Sequence, residues 1–183
     1  MAFRLDGTSW PDLLERFDTL NRRAALVGPK GRGKTTLLEE LERHFAGRGW
    51  LVCRVRLNAQ RRRTTAEERR AIEEAGEHVF VTIDGTEQLS WLSWRRLRRA
   101  SRRAGALLVT THRPGPLPSL YEHRTSPELL CDLVGELVGT EQQPREDELV
   151  RLFEAHGGNI RQCLRELYDR WSDQPAARGS DLS

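Results

Sequence analysis

Gly28-Pro29-Lys30-Gly31-Arg32-Gly33-Lys34-Thr35 reads GxxxxGKT, and its two flanks decide how that reading is taken. Ala24-Ala25-Leu26-Val27 ahead of it is an apolar run of strand type. Thr36-Leu37-Leu38-Glu39-Glu40-Leu41 behind it opens a helix. Strand, glycine-rich loop and helix in that order wrap backbone N–H groups around a phosphate and aim a helix N-terminus at it. Gly28, Gly31 and Gly33 give the loop its dihedral freedom. In this pattern Lys34 is expected to reach the β- and γ-phosphates of a nucleoside triphosphate, and the Thr35 hydroxyl to ligate Mg²⁺. The expected nucleotide-binding stretch is therefore Gly28, Pro29, Lys30, Gly31, Arg32, Gly33, Lys34, Thr35 and Thr36, with ATP and Mg²⁺ as cofactors.

Working outward, Ser9-Trp10-Pro11-Asp12 has a capping hydroxyl and a first-turn proline, and starts a short helix carrying Leu13, Leu14, Phe17 and Leu20. The helix after the loop presents Leu37, Leu38, Leu41 and Phe45 and stops near Gly47 and Gly49. Trp50 to Leu57 reads as a second strand. Arg61 to Gly76 is charged and predicts a surface helix started by Thr65. His78 to Asp84 is a buried strand tipped by a carboxylate. Ser90 to Arg103 predicts a helix with Trp91, Trp94 and Leu97 on one side and six arginines elsewhere. Ala106 to Thr111 is the next buried strand, Arg113 to Pro118 is irregular, and Leu120 to Arg124 is a short edge strand. From Thr125 only helices follow: one with Leu129, Leu130, Leu133, Val134 and Leu137 inside, one with Leu149, Leu152 and Phe153, and one with Ile160, Leu164, Leu167, Tyr168 and Trp171. Alternating strands and helices followed by helices alone predict a three-layer α/β domain with a mainly parallel sheet over residues 1–124. A small all-α lid over 125–172 and a flexible tail over 173–183 complete the expected chain.

Composition narrows the class. The chain has 183 residues, 30 basic against 27 acidic, and a net charge of +3, so overall charge argues only weakly for nucleic acid. Its only lysines, Lys30 and Lys34, both fall in the loop, where phosphate chemistry wants a compact cation. Three cysteines, Cys53, Cys131 and Cys163, lack metal-ligand spacing and read as reduced thiols. Met1-Ala2-Phe3-Arg4 leads into polar residues, and no apolar stretch nears the roughly 20 residues of a membrane span. A cytoplasmic location without a membrane span is expected.

Asp84 ends its strand about fifty residues after the loop. That carboxylate is expected to hold the Mg²⁺ shell beside Thr35, through water. Hydrolysis also needs a carboxylate to orient the attacking water. Gly85 follows Asp84 directly, so Glu87 is the nearest acid and the expected base, although a helix N-terminal carboxylate has the same appearance. Thr110 and Thr111 end the fourth strand, expected beside the strand before the loop, and Thr111 is the expected polar contact to the γ-phosphate or water. Lys34, Glu87 and Thr111 form the expected catalytic set. His112 and Arg113 follow, with Arg113 the better placed to face a phosphate.

Together the loop, the Asp84-tipped strand, the threonine-tipped strand and the helical lid resemble the AAA+ and STAND branch of the P-loop NTPases. Gly158-Asn159-Ile160-Arg161-Gln162-Cys163-Leu164 is similar to the sensor-2 helix of AAA+ proteins. The resemblance implies an ATPase or nucleotide-dependent switch in which Arg161 touches the γ-phosphate and reports it to the lid. Gly85, where the family carries a second acid, implies slow hydrolysis. No effector domain is expected after the lid, so the nucleotide state is expected to act through a protein partner or a homo-oligomer. A small-molecule P-loop kinase is the alternative. Such kinases commonly carry an acceptor-binding acid after the second strand, where this chain has Leu57-Asn58-Ala59-Gln60 and arginines. A second alternative is an ATP-dependent nucleic-acid adaptor using Arg61-Arg62-Arg63 and Arg95, Arg96, Arg98, Arg99, Arg102 and Arg103. A solvated face paired with glutamates would look the same in sequence.

Overall fold

A computed structural model describes residues 5, 7–115, 117–123, 125–139 and 143–172. The tail expected at 173–183 lies outside the described residues, as do Pro116 of the irregular stretch and Arg124 of the edge strand. The chain divides into two compact units, Met1–Arg124 and Thr125–Ser183.

The first unit is built on five strands: β1 (Arg23–Val27), β2 (Leu51–Arg56), β3 (Val79–Asp84), β4 (Ala106–Thr111) and β5 (Ser119–Glu122). They form one all-parallel sheet in the order β2-β3-β4-β1-β5. β4 thus lies between β1 and β3, in register with both. Four helices cover the sheet: α1 (Trp10–Thr19), α2 (Lys34–Ala46), α3 (Ala66–Glu73) and α4 (Trp91–Ala100). Strand side chains alternate between faces. Ala24, Leu26, Phe80, Ala106 and Leu108 meet Leu13 and Phe17 of α1 and Leu37, Leu38 and Leu41 of α2. The opposite parity, Ala25, Val27, Val81, Ile83, Leu107 and Val109, meets Ile72 of α3 and Leu97 of α4. Apolar burial on both sides of the central strands explains their near-continuous hydrophobic runs.

Local chemistry sets the helix starts. Ser9 caps α1 and Thr65 caps α3. Each side-chain oxygen accepts the N–H three residues on, while Asp12 or Glu68 reaches back to the capping residue's own N–H. The apolar side expected for α4 holds only in part. Trp91 is 65 % exposed beneath the Arg95 guanidinium, and only Leu97 of α4 is fully buried, with Trp94 half-buried against the core. The helix expected over 61–76 begins at Ala66 and is more than a surface element, since Ile72 is buried.

The second unit comprises α5 (Pro127–Val138), α6 (Glu146–Ala155) and α7 (Ile160–Ser172), packed around Leu130, Val134, Leu149, Leu152, Ile160, Cys163 and Leu167. Leu137 and Tyr168, expected inside, are exposed. Among the described residues no helix is long and apolar enough to cross a membrane.

Candidate functional site

The sheet's carboxyl edge gathers most of the singled-out residues, because parallel strands all end on one side. Val27 stands opposite Thr111, and Arg56 opposite Asp84. Beyond Val27 the chain turns to α2 on one face. Beyond Thr111 it runs to Leu117, packed in the core of the other. Neighbouring strands whose chains part to opposite faces leave a crevice at their carboxyl ends, the usual ligand position in open α/β sheets.

Residues Gly28–Gly33 line this edge. Gly28 has φ 154°, and a Cβ there would stand 2.9 Å from His123 Cβ and 3.0 Å from the His123 carbonyl oxygen. Only glycine fits so close to a neighbouring backbone. Gly33 caps α2 in the left-handed region, and its carbonyl accepts from Leu37 N–H at 3.0 Å. The amides of Lys34, Thr35 and Thr36 lie ahead of that first bond, so no carbonyl within the helix can accept from them. α2 has no acid in its first turn, whereas α1, α3, α5 and α6 each carry at least one. It has Lys34 instead, only 7 % exposed, whose Nζ donates to the carbonyls of Gly28 (2.5 Å) and Pro29 (2.8 Å). A buried ammonium at the positive end of a helix dipole opposes stability. What it creates is a point of concentrated positive potential beside three amides, which suits a multiply charged anion.

Asp84 stands across the crevice. Thr35 Oγ1 donates to Asp84 Oδ2 at 3.0 Å, joining the start of α2 to the tip of a strand two places away. Thr110 Oγ1 donates to Asp84 Oδ1 at 2.6 Å and accepts from Gly85 N–H at 2.8 Å. Arg56 Nε lies 3.9 Å from Asp84 Oδ2. A hydroxyl and a carboxylate this close, with phosphate oxygens to complete the shell, fit a hard cation such as Mg²⁺. Among the described residues no group of three or more His, Cys, Asp or Glu side chains could hold a metal by itself.

Thr110, not Thr111, is therefore the β4 residue bonded to Asp84. Thr111 Oγ1 donates to the Arg113 carbonyl at 3.1 Å, and its parity places it with Ala25 and Val109 on the α3–α4 face. Glu87 sits in a 3₁₀ turn, Thr86–Gln88, and pairs with His112 Nε2 at 3.2 Å. Glu87 and Thr111 share a hollow of about 260 Å³ with Thr86 and Trp94. Pro29 and Lys30 are exposed, while Gly31, Arg32, Thr35 and Thr36 are half-buried. Arg161 is exposed in the first turn of α7, in the second unit.

His123, which no sequence motif singles out, is 4 % exposed behind the loop, with its ring edge-on to Tyr121. Burial, with the Lys34 charge adding to it, lowers its pKa to about 4, against an opposing hydrogen bond to the Arg32 backbone. As pH falls, the unfolded chain takes this proton first, from about pH 6.5. The stabilising preference for neutral imidazole is thus complete above that pH and drains away as pH approaches 4. Urea unfolding is expected to show a loss of about 3 kcal/mol over that window, at 1.36 kcal/mol per pKa unit. His123→Asn should lose that part of the slope whatever its absolute stability. A parent and variant with parallel profiles would remove the buried-imidazole account.

Comparison with protein-family models finds no match, and no curated protein matches the chain significantly.

Proposed function

We propose that the first unit binds a nucleoside triphosphate with Mg²⁺, and that the chain is an ATPase or nucleotide-dependent switch of the AAA+-like kind acting through a partner or self-assembly. The observation that carries this reading is the Thr35–Asp84 hydrogen bond of 3.0 Å. It joins the two residues that triphosphate chemistry needs around one cation, although 49 positions separate them. The buried Lys34 and the glycine loop's close approach to its neighbours support the same reading.

In this proposal the amides of Lys34 to Thr36 and the Lys34 ammonium bind the phosphates. Thr35, and Asp84 through water, would hold Mg²⁺, which when bound neutralises charge on the phosphate oxygens. Thr110 fixes Asp84 from the other side. Glu87 orients water. A neutral-acceptor kinase is less well supported, because Arg56 and Arg61 dominate the end of β2 and no acid occurs between Arg56 and Glu67.

Calorimetric titration with MgATP, repeated with ATP in excess chelator, tests the binding. Micromolar binding that weakens without metal is the expected result. Release of inorganic phosphate without an added acceptor separates ATPase from kinase. Glu87→Gln is expected to slow that release at least tenfold, about 1.4 kcal/mol in the barrier, with affinity unchanged. Equal losses of affinity and turnover would mean damaged structure, and no loss would strip Glu87 of its role.

A further inference from the structure

We propose that the groove between α3 and α4 binds the phosphodiester backbone of a nucleic acid, without regard to base sequence. The groove has a volume of about 1220 Å³ and is walled by Arg62, Arg63 and Arg69 on one side and Arg96 and Arg99 on the other. Glu73 is the one acid in that lining. This surface is separate from the Lys34–Asp84 site, and its occupancy does not depend on the nucleotide reading.

The pairing of these arginines decides against a solvated, self-neutralised face. Of the carboxylates nearby, Glu68 pairs with Arg61 and Glu74 with Arg70, and Glu73, the acid on the groove wall, forms no salt bridge with a described arginine. Among the described residues, Arg62, Arg63, Arg96 and Arg99 have no carboxylate within salt-bridge distance, and all four are exposed. Arg96 and Arg99, three apart on α4, share one face of that helix. Continuing the same positive field, Arg95 lies over Trp91 at 4.7 Å. Five guanidiniums set against the single carboxylate of Glu73 repel one another, so the arrangement is relieved by an external polyanion.

The chemistry favours a nucleic acid over an acidic peptide. Guanidinium forks match phosphate oxygens two at a time, and every arginine here, with no lysine, offers that planar fork. Phosphodiesters present one charge per unit at regular spacing. α4 is ten residues and about 15 Å long, the length of duplex axis over which one strand presents about four phosphates at about 3.4 Å of rise each. Leu92, 59 % exposed on the groove wall, gives apolar surface for sugars. The groove's charge is mainly guanidinium, whose phosphate contacts position a nucleic acid without reading it, hence the expected indifference to sequence.

The test is fluorescence anisotropy of the full chain with labelled random-sequence DNA of about 20 nucleotides, single-stranded and duplex, in the absence of nucleotide. With about four phosphates neutralised, duplex affinity should fall about a hundredfold between 50 and 200 mM salt. R96Q/R99Q should weaken binding at 50 mM at least tenfold and reduce the magnitude of the logarithmic salt slope by about 2. R43Q/R48Q, which removes two arginines of α2's end and leaves the groove intact, should stay within about twofold of the parent. Lys34→Ala should bind DNA as the parent does, so a failure of the nucleotide reading registers separately. Circular dichroism confirms that each variant is folded. R96Q/R99Q matching the parent would overturn the proposal, as would polyglutamate of equal charge competing as well as DNA.

Discussion

Lys34→Ala is expected to lower MgATP affinity about a thousandfold, a loss of about 4 kcal/mol. The size follows from what the ammonium replaces. Each charge-assisted hydrogen bond to a phosphate contributes about 1.5–3 kcal/mol, and Lys34 is proposed to make two. No other lysine can take its place. The only other lysine, Lys30, is exposed on the far side of Gly31-Arg32-Gly33. The change in fold stability should be small by comparison. Alanine relieves the repulsion between a buried cation and the α2 dipole, but leaves the Gly28 and Pro29 carbonyls without their donor. These effects oppose each other and should leave stability within about 1 kcal/mol. Calorimetry and urea unfolding on the same preparation thus separate loss of a ligand contact from loss of a loop. A folded Lys34→Ala protein that binds MgATP as tightly as the parent would sink the nucleotide proposal.

How far the sequence speaks for itself varies by element, for physical reasons. The strand–loop–helix around Gly28 is legible because a glycine pattern, an apolar run and a helical period coincide. Asp84 is legible as a strand tip because β3 is apolar up to that point. The identity of the threonine beside it is not. β4 is buried on both faces, so its hydrophobic run lacks the alternation that would assign a side to Thr110 or Thr111. Only the parity of both strands resolves it: Phe80, Thr82 and Asp84 share the α2 face with Ala106, Leu108 and Thr110. Thr82 on that same row accordingly bonds Glu42 of α2 at 2.5 Å. Trp91 misleads for a different reason. Its helical spacing fits the core, yet its indole is covered by a cation from its own helix, not by the sheet. His123 gives no pattern at all, since its burial depends on a glycine 95 positions earlier allowing the two backbones to touch.

Gly85 shows the same limit most sharply, and it leads to the second large effect. Read as sequence, it is the place where a catalytic glutamate is missing. In the fold it has φ 90° and ψ 42°, and a Cβ would stand 2.6 Å from the Leu57 carbonyl oxygen. No side chain fits that backbone. Gly85→Glu is expected to destabilise the first unit by about 2–5 kcal/mol, combining about 1–2 for the left-handed conformation with about 1–3 for the clash. The clash is with backbone, so it cannot be relieved by a rotamer change. Movement of Gly85 would also pull its N–H from Thr110 Oγ1, the group that holds Asp84. Turnover should therefore fall, even though a carboxylate has been added at the position where it would otherwise serve. Gly85→Ala isolates the strain: it should cost nearly as much in urea unfolding without any new charge. The glycine is thus the condition for the turn that carries Glu87, which is why the candidate base stands three residues after Asp84. A Gly85→Glu protein as stable as the parent and faster in phosphate release would reverse that argument and return the base to the position after Asp84.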